Sequence, residues 1–200
     1  MSLTLVVLAA GASTRLGTCK ALVDLGGRTP LDRLVEAGRA IASTPALVVT
    51  GADHVRIAGA APQGVDVLEN RSWAEGRLGG LALAARARPG SDLCVAPVDV
   101  PLVPAAVFLA LRAAWLEAGE PPLGWLAPFL DRAGARRAYG HPIVIGRDLC
   151  ARLSAIGKEV PMREVRALAR PLLSIAVDSV AILDDLDTPA DLERLRRRVS

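Results

Sequence analysis

Between Leu8 and Lys20 the chain reads Leu-Ala-Ala-Gly-Ala-Ser-Thr-Arg-Leu-Gly-Thr-Cys-Lys, so Arg15 and Lys20 stand directly behind a run of small residues. A strand that ends in such a run exposes backbone N–H groups that can cradle phosphate oxygens, and the small side chains let a phosphate chain come close. Two nearby cations suit a triphosphate whose charge shifts onto leaving pyrophosphate. The loop is not a P-loop, because Gly11 and Gly17 are six apart and Gly17 is followed by Thr18 instead of a Lys-Ser/Thr pair. Nor is it the dinucleotide fingerprint, since positions 11, 13 and 16 are Gly, Ser and Leu. Lys20 stands out further because Lys158 is the only other lysine.

The elements that must position this loop are legible as a rhythm. Apolar runs at Leu3–Ala10, Ala46–Thr50, Val65–Leu68 and Leu93–Val98 are short, rich in β-branched residues and separated by helical-looking segments, as in βαβ units with a buried parallel sheet. Pro30–Ser43 and Pro104–Ala118 each begin with proline and repeat apolar residues at helical spacing, which predicts two crossover helices. Prolines and glycines break up Gly119–Arg137, which is expected to be lid or substrate territory. Beyond it follow a strand at Pro142–Ile145, short helices at Arg147–Ile156 and Met162–Leu168, and a strand at Leu172–Val177. Thr188, Pro189 and Asp191 open a last helix, Pro189–Arg198, as a near capping box. The fold class expected is α/β: residues 1–200 as one Rossmann-like three-layer αβα domain with a mostly parallel sheet.

Composition narrows the setting. At 200 residues the chain suits one domain, and a 52% hydrophobic share with only 3% aromatic residues predicts an aliphatic core. The apolar runs are far shorter than the roughly 18 residues of a membrane span. Met1–Thr4 lacks the basic start of a secretory signal. Cys19, Cys94 and Cys150 form no paired spacing, so neither a disulfide framework nor a zinc site is expected, and a reducing cytoplasm is. The net charge of +3 lacks a basic stripe with aromatic partners, so neither nucleic acid nor membrane is an expected partner. His54 is expected at the surface, and Cys19 as a bystander in the loop.

With the loop matched from Leu8 to Lys20, the sequence resembles the MobA-like nucleotidyltransferase family, whose signature is L-A-A-G-x-S-x-R-M/L-G-x-x-K. The resemblance implies a nucleotide-diphospho-sugar transferase type of fold. It also implies a reaction that joins the α-phosphate of a nucleoside triphosphate to a phosphorylated acceptor and releases pyrophosphate. Asp99-Val100-Pro101 corresponds to the family's D-x-P and would hold Mg²⁺ against the triphosphate, at the strand end where α/β sheets bind ligands. Asp185-Leu186-Asp187-Thr188-Pro189 corresponds to the late D-x-D/N-T-P, with Asp185 or Asp187 completing the metal or acceptor site. Gly140-His141-Pro142 corresponds to G-H-P and places His141 on the acceptor side.

Asn70, Trp73 and Gly76 match the N-x-x-W-x-x-G of the cytidylyltransferase branch, but Arg77-Leu78-Gly79-Gly80 is nearer the guanylyltransferase branch. The implied roles are therefore catalysis by Arg15, Lys20 and Asp99, nucleotide binding by Leu8, Ala9, Ala10, Gly11, Ala12 and Ser13, acceptor binding by Asn70, Arg77 and His141, and Mg²⁺ binding by Asp99 and Asp185. CTP or GTP is the implied donor and molybdopterin or a related precursor the implied acceptor, with a molybdoenzyme or chaperone as a further partner. A sugar phosphate or other small phosphate as acceptor, a nucleotide-binding regulator without turnover and a nucleotide-sugar glycosyltransferase are the competing readings. The last would need a D-x-D just after a strand near the middle of the sequence, and position 101 is proline.

Overall fold

Strand β1 (Leu3–Ala9) lies at the centre of one sheet, between β2 (Ala46–Thr50) and β4 (Asp92–Pro97), parallel to both, and β3 (Val65–Glu69) extends the parallel set beyond β2. The computed structural model describes residues 2–131, 136–156 and 160–199, apart from the side chains of Arg77 and Ser154. On the other side of β4 runs β7 (Ile143–Ile145), antiparallel to it. Strand β5 (Trp125–Leu130) follows, antiparallel to β7 and to the short β6 (Ala138–Tyr139) and parallel to β8 (Leu172–Ala176). The sheet is thus mostly parallel, with β6 and β7 reversed.

Alternation along β1 sorts the helices into two layers. Leu3, Leu5, Val7 and Ala9 pack in one apolar cluster with α1 (Pro30–Gly38), α2 (His54–Ala60) and α4 (Ala105–Glu117), through Leu34, Ile57 and Phe108. Val6 belongs to the opposite cluster, with α3 (Arg77–Ala87), α5 (Arg147–Arg152) and α6 (Met162–Ala167), through Leu81, Leu149 and Val165. The three-layer α/β architecture expected from the sequence is therefore present. A smaller cluster of Leu16, Val23, Leu25, Leu186 and Leu195 fastens the glycine loop to α7 (Pro189–Val199).

The segment expected to be a lid is instead partly core. Residues 125–130 of the Gly119–Arg137 stretch form β5, buried at every position, while 132–135 lie outside the described residues. Proline hid this strand in the sequence. The Pro128 carbonyl accepts from the Gly140 N–H at 3.0 Å, which turns the proline nitrogen toward the break between β6 and β7, where no ladder bond is lost.

The cap expected at the last helix forms, and a second one, which the sequence reading did not single out, closes α1. Thr29 and Asp32 close a capping box on α1. At α7 the Thr188 hydroxyl accepts from the Asp191 N–H at 3.2 Å, while the Asp191 carboxylate accepts from the Thr188 N–H at 2.9 Å. Those bonds, chiefly the Thr188 hydroxyl and then Arg194, hold the Asp191 carboxyl down at about 2. Arg194 and Arg198 also reach back to Asp184, so this basic end of α7 fixes the segment that carries Asp185 and Asp187.

At the start of β4, Asp92 is 1% exposed and accepts from Trp115 Nε1 at 2.9 Å and from the Arg147 N–H at 2.8 Å, joining α4, β4 and α5. Removing a buried acceptor strands its donors. Asp92→Ala should lower unfolding stability by on the order of 3 kcal/mol in urea denaturation, and a loss under about 1 kcal/mol would contradict this anchoring role.

Candidate active site

Because β1 and β4 are adjacent and parallel, the loop after one and Asp99 after the other open at the same sheet edge. Their last turns are stitched: Val98 N–H donates to the Leu8 carbonyl at 3.0 Å, and Leu186 N–H donates to the Asp99 carbonyl at 2.7 Å. Three distant segments thereby converge.

Ser13 shapes the loop. It adopts a left-handed conformation, φ +52°, which costs a non-glycine residue roughly 1 kcal/mol. In that conformation its carbonyl accepts from the N–H groups of Leu16 and Gly17 at 3.1 and 3.0 Å, and its hydroxyl accepts from the Lys20 N–H at 3.2 Å. One serine therefore ties the beginning of the loop to its cationic end. At Gly11 a Cβ would meet no protein atom within 4 Å, so the absent side chain leaves open space that a ligand can use.

That space belongs to a cavity of about 290 Å³ lined by Leu8, Ala9, Ala10, Gly11 and Ser13, with Arg15, Lys20 and Asp99. Ala12 is not part of its wall. Asn70 and Trp73 line it too. Asn70 is 6% exposed; its amide oxygen accepts from the Ser72 N–H at 3.2 Å and its own N–H donates to the Thr50 carbonyl at 2.8 Å. Asn70, expected on the acceptor side, thus faces the cavity of the glycine loop. Trp73 approaches β1's loop because Gly51, between Ala10 and Trp73, has no Cβ to keep them apart.

Lys20 is the electrostatic centre. Its ammonium is 2.7 Å from Asp187 Oδ1 and 3.9 Å from Asp99 Oδ2, and Arg15 meets Asp187 Oδ2 at 2.8 Å. The Lys20 hydrogen bond, aided by the Lys20 and Arg15 charges, holds the Asp187 carboxyl below its usual value. The Asp185 carboxyl is pushed up, first by burial and then by the carboxylates of Asp99 and Asp187.

A second cavity, of about 560 Å³, adjoins the first. Asp99 and Asp187 line both, whereas Asp185, Gly140 and His141 line only the second. His141 is positioned by its own N–H, which donates to the Ile182 carbonyl at 3.0 Å, and Gly140 has no Cβ to clash with Ile182. Arg77 opens α3, but its side chain lies outside the described residues.

Asp99 and Asp187 are two hard oxygen donors within reach of one ammonium. Among the described residues, no three His, Cys, Asp or Glu side chains gather as a metal-holding group. Such a pair suits a divalent ion that completes its shell with phosphate oxygens and water. Sequence reading found the loop and both acidic segments but missed Trp125, Tyr139, Met162 and Arg166 in the second cavity. They come from β5, β6 and α6 and share no motif.

A model of the MobA-like NTP transferase domain matches residues 5–176. A molybdenum cofactor guanylyltransferase of Sinorhizobium fredii is 30% identical over 203 residues, covering 94% of this chain and 88% of that one. A probable molybdenum cofactor guanylyltransferase of Carboxydothermus hydrogenoformans is 27% identical over 194 residues, covering 97% and 95%. Among solved structures, Rv0371c of Mycobacterium tuberculosis in complex with manganese superposes with a TM-score of 0.75 at 22% identity, covering 98% and 99% of the two chains.

The depressed Asp187 carboxyl contributes stability that is fully present above its unfolded value, near 4, and lost as pH falls through the lower folded value. In acid unfolding, the ligand-free wild type should therefore lose stability below about pH 4 more steeply than Asp187→Asn. Parallel acid limbs would show that the Lys20–Asp187 contact contributes nothing in solution.

Proposed function

The chain belongs to the MobA-like NTP transferase family and is a nucleotidyltransferase, and we propose that it transfers the GMP part of GTP to the phosphate of molybdopterin with Mg²⁺ present. The observation that carries this reading is the shared wall: Asp99 and Asp187 face both cavities, so two substrates placed in them meet at these carboxylates. The names of the relatives support guanosine as the base and the molybdenum cofactor as the product.

In this reading the triphosphate lies along the backbone from Ala10 to Ser13. An oxygen of the acceptor phosphate attacks the α-phosphorus in line, the bond from that phosphorus to the α–β bridging oxygen breaks, and pyrophosphate leaves with the bond electrons. Asp99 and Asp187 would hold the divalent ion, which when bound offsets charge on the triphosphate. Lys20 and Arg15 turn from Asp187 to the phosphates and stabilise the leaving pyrophosphate. No general base is required, because the attacking phosphate is already an anion, and His141 serves the acceptor wall. The rest of the rate comes from holding the two phosphates together.

Cys19 takes no part. It is 3% exposed, and burial, followed by the Asp53 charge, pushes its thiol up, away from thiolate reactivity. The three cysteines are free and buried, which supports a reducing cytoplasm as the compartment. Among the described residues no helix is long and apolar enough to cross a membrane.

Turnover is read as label passing from α-³²P-GTP to molybdopterin, with CTP and a sugar phosphate as competing donor and acceptor. Lys20→Ala, Asp99→Ala and Asp187→Ala should each reduce kcat by about 100-fold or more while unfolding stays cooperative, and Cys19→Ser should stay near wild type. Asp185→Asn should lose less than Asp187→Asn; the reverse order would move the ion to Asp185. Near-normal turnover in Asp99→Ala, or transfer only from CTP or only to a sugar phosphate, would overturn the assignment.

A further inference from the structure

The second cavity is elongated along the sheet. Asp99 follows the C-terminal end of β4, whereas Trp125 is paired with Ile145, which is paired with Leu93 near the strand's other end. Between these limits Val95, Pro97, Ala127 and Ile143 give the wall an apolar surface. One end therefore holds Asp99, Asp185 and Asp187 and adjoins the cavity of Lys20 and the glycine loop, and the other holds an indole.

That indole is unusual. Trp125 is 6% exposed, and its buried Nε1–H finds no hydrogen-bond acceptor among the described residues. The contrast with Trp115 is direct, because its buried Nε1–H is satisfied by Asp92. A buried indole N–H normally has a partner. The outer wall is also suited to a flat ligand: Arg166 lies over the Tyr139 ring at 5.4 Å, presenting a planar cation beside an aromatic face.

We propose that Trp125 is a specificity-determining residue for the acceptor: the second cavity takes a two-ended molecule, with its phosphate at the Asp99–Asp187 edge and a flat ring at the far end whose carbonyl or ring nitrogen accepts from Trp125 Nε1–H. This rests on the transferase reading above and sets what the acceptor must carry beyond its phosphate. Small phosphates without a ring leave the indole unmatched. A buried donor built to meet a substrate acceptor discriminates against analogues that lack one.

Neopterin, a fluorescent pterin without phosphate, probes the ring end alone. It should bind the wild type in a direct titration, and Trp125→Phe, which keeps an aromatic ring and removes the N–H, should weaken binding about fivefold. In the transfer assay the same variant should raise KM for molybdopterin by a similar factor while KM for GTP and kcat stay near wild type, a split that general destabilisation would not produce. Should Trp125→Phe fail to fold, Met162→Trp fills the cavity from the half-buried α6 side and should likewise block neopterin but not GTP. Neopterin binding that is absent in the wild type, or unchanged in the variants, overturns the inference. Absence of GTP-dependent transfer by a wild type that does bind neopterin would instead overturn the transferase reading.

Discussion

The ion pair between Lys20 and Asp187 is the contact on which the rest of the site depends. It joins the end of the glycine loop to the start of α7, and Asp99 at the end of β4 lies within 3.9 Å of the same ammonium. These residues are far apart in sequence, so every element between them must fold correctly before the cluster exists. The sheet brings β1 and β4 side by side, the small cluster around Leu16, Leu186 and Leu195 packs the loop on α7, and Leu186 N–H locks onto the Asp99 carbonyl. Lys20 is only 12% exposed, and an ammonium so enclosed needs its two carboxylates.

The same arrangement prepares the site for a highly charged substrate. Without ligand, Asp187 satisfies both Lys20 and Arg15, and a triphosphate offers those cations stronger partners. In the proposed reading Asp187 would then be available to a divalent ion beside Asp99. Strain at Ser13 belongs to this preparation, since its left-handed backbone lets one residue accept from both turns of the loop. In the proposed reading the tasks are separate: loop and cations would handle the nucleotide, the carboxylates would mark the junction, and the apolar wall from Val95 to Trp125 would receive the acceptor.

Much of this was legible in the sequence because it is local. The loop, the parallel strands β1 to β4 and the Thr188–Asp191 cap follow from neighbouring residues and their spacing. Asp187 was visible only as one of two candidate acids; its pairing with Lys20 depends on a contact across 167 residues. Strand β5 was hidden because Pro128 ordinarily argues against a central strand, and only the break between β6 and β7 makes it harmless. Asn70, expected on the acceptor side, lines the cavity of the glycine loop, since a motif fixes position in the sequence but not which side of a wall a residue faces. The wall of the second cavity was unreadable for a similar reason: Trp125, Tyr139 and Arg166 come from three elements brought together by the reversed strands and α6.

The most direct test is a crystal structure of the ternary complex with α,β-methylene-GTP, Mg²⁺ and molybdopterin. The triphosphate should lie against Ala10 to Ser13, the ion between Asp99 and Asp187, and the acceptor phosphate in the second cavity facing the α-phosphorus. A nucleotide bound outside the loop cavity, or two ligands that do not meet at Asp99 and Asp187, would contradict the account.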